Sequence, residues 1–87
     1  MKIIDGPPPD GIYPAIEVQL WPSPKDPKVS VATVSLFEVF SPAPHATLKI
    51  TKFVERKRMN RDQAVVLATQ EATARNIDTV YVKAKQV

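Results

Sequence analysis

Residues 60–76, NRDQAVVLATQEATARN, decide the fold, because they form the clearest helical stretch in a chain otherwise patterned for strands. Asn60 is suited to cap a helix N-terminus, and Gln63 stands three residues on. That is the spacing of a capping box, in which each residue satisfies an orphan amide of the other. Asp62 in the first turn complements the positive end of the helix dipole. Ala64, Val65, Ala68 and Ala72 fall on one face at helical spacing with Leu67 on the flank, while Gln63, Val66, Thr69, Gln70 and Thr73 fall on the other. An inner face made mostly of alanine predicts a helix lying close to the surface it covers. Asn76 suits the left-handed position that ends a helix, with Ile77 as the hydrophobic contact after it.

The flanks read as strands. TVYVKA, residues 79–84, points Val80 and Val82 inward and Tyr81 and Lys83 outward. TLKITKFVERK, residues 47–57, puts Leu48 and Ile50 on one face, which either Phe53 or Val54 continues. VSVATVSLFEVF, residues 29–40, is a longer β-rich run whose alternation shifts part-way, and the shift predicts a bulge. AIEVQLW, residues 15–21, alternates Ile16, Val18 and Leu20 with Glu17, Gln19 and Trp21 between Pro14 and Pro22. PSPKDPK (22–28) and SPAPHA (41–46) are loops, since proline cannot donate to a sheet ladder. DGPPPDG, residues 5–11, is expected to be extended and polyproline-like.

The expected fold is α+β, in the order β-β-β-α-β: a mostly antiparallel four-stranded sheet with one helix packed on one face. Residues 1–12 are expected to be a flexible Pro-rich arm and residues 13–87 a single compact domain. The first three strands run antiparallel through hairpin-type loops, and a right-handed crossover through the helix returns the last strand. The other face of the sheet is left to water or to a partner. A core built from so few residues makes a homodimer on that face physically sensible.

Composition narrows the chemistry. The chain has 87 residues and no cysteine, which removes disulfides and Cys-ligated metal sites and fits a reducing cytoplasm. No apolar run approaches the roughly 20 residues needed to span a bilayer, and MKIIDGPPPDG reads as neither signal peptide nor anchor. Both glycines lie in the proline-rich N-terminal segment, so no phosphate-cradling Gly-rich loop precedes a helix. His45 is the single histidine, in a proline-rich loop without triad spacing around it, and reads as a solvated side chain. Scattered carboxylates offer no metal cluster. The expectation is a non-enzymatic module with no cofactor and no metal.

Charge is uneven. Residues 1–46 hold three lysines against five carboxylates, whereas residues 47–87 hold nine Lys/Arg against four. Within that half, Lys49, Lys52, Arg56, Lys57, Arg58 and Arg61 are six of the chain's twelve cations in thirteen positions, opposed only by Glu55. Standing at a strand end and a helix N-terminus, these cations suit phosphate, since helix amides favour anions and arginine adds bidentate contacts. The other reading is a solvated face, with Lys and Arg guarding an exposed strand against edge-to-edge pairing. Trp21, Tyr81 and Lys83 fall on the open sheet face, where Phe37 or Phe53 joins them according to the bulges. Rings interleaved with cations there suit the stacking of unpaired bases, or equally a protein interface.

Over residues 29–76 the layout of strands followed by an alanine-rich helix, carried by ERKRMNRDQAVVLATQEA, resembles the C-terminal part of double-stranded RNA-binding domains. That resemblance implies cations at the helix N-terminus contacting phosphates. The chain departs from it in having no N-terminal helix, no KKxAK signature and a further strand after the helix. The layout is also similar to small uncharacterised bacterial β-β-β-α-β proteins, a likeness that implies no activity. The reading is thus a binding module for nucleic acid or another polyanion through the basic strand–helix junction. The alternative is a protein-interaction or self-assembly module using the open sheet face, and neither reading involves a membrane.

Overall fold

The structure, a computed structural model, describes residues 1–9, 11–22, 25–26, 30–40 and 47–84. The two proline-rich loops expected around residues 22–28 and 41–46, with His45, fall largely or wholly outside the described residues. The elements run β1 (Lys2–Asp5), β2 (Ala15–Pro22), β3 (Ser30–Phe40), β4 (Thr47–Arg58), α1 (Arg61–Ala74) and β5 (Thr79–Ala84). They build one five-stranded mixed sheet in the order β1-β5-β2-β3-β4, with the helix on one face.

Among the described residues the α+β class with a single helix is as expected, but the sheet has five strands rather than four and is not mostly antiparallel. β2–β3 and β3–β4 pair antiparallel, while β5 pairs parallel to both β1 and β2. The added strand is Lys2–Asp5, inside the stretch expected to be an arm. It carries no inward/outward pattern because all four of its residues are exposed. Backbone bonds tie it in, with Lys2 N–H donating to the Asp78 carbonyl and Gly6 N–H to that of Val82, both at 2.8 Å.

The helix is built as its sequence dictates. Asn60 Oδ1 accepts from the Gln63 amide at 2.8 Å, and Gln63 Oε1 accepts from the Asn60 amide at 3.0 Å. Ala64, Ala68 and Ala72 are fully buried, and their small side chains let the helix settle against β2, β3 and β5. Asn76 takes a left-handed φ of 56°, and the Ile77 amide turns back to the Ala72 carbonyl at 2.9 Å, closing the C-terminus.

Ile16, Val18, Leu20, Ala32, Val34, Leu36, Val80 and Val82 complete the core beneath α1. β3 therefore keeps strict alternation across its centre, and its expected bulge is not there. Its extra apolar residues, Val31, Phe37 and Val39, occupy the far face instead. The irregularities lie on β4: three residues separate Val54 from Lys57 where β3 needs two, and two separate Lys52 from Val54 where β3 needs one. The slippage turns both Phe53 and Val54 toward the core, and leaves Leu48 and Ile50 exposed on the other side.

Candidate functional site

β4 is an edge strand, so its cations are sorted by alternation and by its bulges. Directly paired residues point the same way. Lys57 opposite Ala32, and Lys49 opposite Glu38, therefore lie on the helix side, while Lys52 opposite Ser35 and Arg58 opposite Val31 lie on the far side. Arg56 sits in a bulge with φ 49°. Its amide donates to Thr33 Oγ1 at 3.0 Å, and its guanidinium lies over the Trp21 ring, 5.6 Å from the centroid. Arg61 turns to Asp5, with Nη2 3.4 Å from Oδ1 and both ends largely in water, a pair worth well under about 1 kcal/mol. The junction is thus not one cluster: Arg56 and Arg58 lie on the far face, Lys57 on the helix side, and Arg61 at the start of α1 turned to Asp5.

The far face has a shape that the sequence reading did not foresee. A trough of about 270 Å³ is bounded by Trp21 and Arg56, by Phe37 and Ile50, and by Lys52 and Glu55, over a floor of half-buried Gln19 and of Thr33 and Ser35, which keep only 3–4% exposure at its bottom. Lys52 Nζ pairs with Glu55 Oε1 at 3.0 Å. Gln19 Nε2 donates to Glu17 Oε1 at 2.6 Å, and Glu17 is only 4% exposed. Beyond the trough, the pairs Phe37–Ile50 and Val39–Leu48 continue as an apolar ledge, with Val39, Leu48 and Ile50 45–50% exposed. Phe53 takes no part; it faces the helix side with Arg75 over its ring at 4.7 Å.

Tyr81 lies on this far face but is only 7% exposed, and Lys83, opposite Gln19, is half-buried. Topology explains the cover. The β4–α1–β5 crossover and the β1–β2 connection move across the sheet in opposite directions, so two right-handed connections must lie on opposite faces. A right-handed β1–β2 connection would lie over β5 on the far face, where the nearly buried Tyr81 and Glu17 are neighbours in register. What remains in contact with water is the β4 side of this face and the trough beside Trp21, whose floor residues Thr33 and Ser35 are themselves nearly buried. Gln19, Thr33 and Ser35 escaped the sequence reading because alternate polar residues on a strand look like ordinary solvent-facing positions.

Among the described residues, no group of three or more His, Cys, Asp or Glu side chains is placed to hold a metal ion, and no helix is long and apolar enough to cross a membrane. Compared with protein-family models, with curated proteins and with solved structures, the chain matches none of them.

Proposed function

We propose that this protein is a small non-enzymatic binding module for single-stranded nucleic acid, carried on the sheet face opposite the helix. The observation behind the reading is the Trp21–Arg56 stack beside the trough, with Lys52 and Arg58 on the same face. An aromatic ring offers a sequence-tolerant surface to bases, and cations spaced along β4 follow a phosphate backbone. Arg56 serves both ends of that arrangement, since a guanidinium stacked on a ring keeps its N–H edge for phosphate. Glu55 works against it by pairing with Lys52 at 3.0 Å.

Fluorescence anisotropy against short single strands and duplexes, over a range of salt, tests the reading. Saturable single-strand binding is expected, with a log–log salt slope of about −2 if three cations each neutralise a phosphate at roughly 0.7 apiece. Arg56→Glu and Arg58→Glu should weaken binding, Glu55→Gln should tighten it by freeing Lys52, and Lys49→Glu or Lys57→Glu on the helix side should matter much less. Flat titrations, or equal losses from both faces, would defeat the proposal.

A second reading rests on the ledge of Val39, Leu48 and Ile50, whose exposure suits a protein contact or self-association. Binding of that kind tolerates salt and is lost in Leu48→Ser or Ile50→Ser, which leave the cations in place.

A further inference from the structure

We infer that the trough between Trp21 and Phe37 receives one unpaired base, edge down, and reads its hydrogen-bonding edge with Gln19, Thr33 and Ser35. The inference rests on the single-strand reading above and names what the strand puts into the face. Size is the first argument. About 270 Å³ lies just below the range of roughly 300–1,000 Å³ typical of pockets for drug-sized ligands. That leaves room for a single ring system rather than a whole nucleotide. Along β3, Thr33 and Phe37 are four residues apart, roughly 13 Å at about 3.3 Å per residue.

Polarity is the second argument. A carboxylate can only accept, so the 2.6 Å contact to buried Glu17 fixes the Gln19 amide with its nitrogen toward Glu17. Its carbonyl oxygen is left as an acceptor of set orientation. Thr33 Oγ1 already accepts from the Arg56 amide, so its own O–H remains to donate. Ser35 beside it can do either. A fixed acceptor beside a donor matches the N–H and lone pair that an unpaired base presents on its Watson–Crick edge, and a duplex has already used that edge. The walls supply the rest: the Trp21–Arg56 stack at one end, Phe37 and Ile50 at the other, and Lys52 at the rim for the adjoining phosphate.

Trp21 is the chain's only tryptophan, so its fluorescence reports on this site alone. The experiment titrates the intact protein with three decamers: thymidine, the same backbone without bases, and thymidine methylated at N3. Anisotropy of labelled strands is followed in parallel. Thymidine should quench Trp21 and bind roughly 5- to 150-fold tighter than the abasic strand, the span that stacking of a single base provides. N3-methylation should remove part of that gain, and Gln19→Leu should make the methylated and unmethylated strands equivalent. Abasic and thymidine strands binding alike would overturn the base site while leaving phosphate binding intact. Failure of every strand to bind would instead remove the single-strand reading, and a protein partner on the ledge would take its place. The ligand comparison on the unmodified protein keeps the test decisive even if the Gln19 variant folds poorly.

Discussion

Arg56 holds a left-handed φ of 49° that most side chains avoid. Such a residue costs of order 1 kcal/mol and persists only where its surroundings fix it. Here the Thr33 hydroxyl takes its amide proton and Trp21 takes its guanidinium. Thr33→Val should therefore lower stability by about 1 kcal/mol, read as a shifted urea midpoint, by orphaning a half-buried amide. Arg56→Gly should leave stability nearly unchanged, because relief of strain offsets about 0.5–1 kcal/mol of lost cation–π contact, yet it should weaken single-strand binding and make its salt slope shallower. A large loss of stability in Arg56→Gly would show that the stack holds the bulge rather than a ligand. Some of this scale was legible: Asn60, Gln63 and Asn76 have side chains matched to their backbone roles. The Arg56 bend was not, since arginine gives no sign of a positive φ.

At the scale of an element, β4 explains most of the basic run. It is a 12-residue edge strand, and among the described residues nothing pairs with its outer side. Cations on both faces and two bulges are the usual means of keeping such an edge from recruiting another chain. Lys49→Val together with Lys57→Val, both on the helix side, should then leave nucleic-acid affinity nearly intact while promoting concentration-dependent association, visible by sedimentation. An unchanged monomer at high concentration would assign those lysines some other role. The helix was legible because capping and spacing agree with its burial, as with Ala64, Ala68 and Ala72. β4 was only half legible: its strand character was plain, but a bulge moves residues between faces without changing the sequence's composition. The run that looked like one grip is thereby divided.

At the scale of the whole molecule, strand order is what the sequence left unread. Neighbours in sequence usually pair, and β2, β3 and β4 obey, but β5 slots between β1 and β2. β1 was hidden because an edge strand exposed on both sides needs no alternation. Its role is tested by removing residues 1–5. Without β1 the parallel edge of β5 lies open, flanked by buried Val80 and Val82, so the shortened chain should be less stable to urea and should aggregate more readily than the full one. Equal stability would make β1 an ornament of the sheet. The molecule measures 48 by 25 by 19 Å, and β3 and β4 run on past the start of β2, whose Ala15 pairs with Phe37. That overhang carries the Val39–Leu48 end of the apolar ledge.

The placement of β5 also sets an order of events during synthesis. A ribosome delivers β2, β3 and β4 early, and their hairpins can close as they emerge. The strand that belongs beside β2 arrives only after Thr79, sixty-four positions after the partner that Val80 meets at Ile16. Until then the nascent sheet has an unmatched inner edge, and α1 lacks the two valines on which part of it rests. Closing so distant a pairing is slow compared with local hairpins. Of the five strands described, β5 is made last and is thus the wedge that completes this sheet, and a chain halted before it would expose the surface most in need of cover.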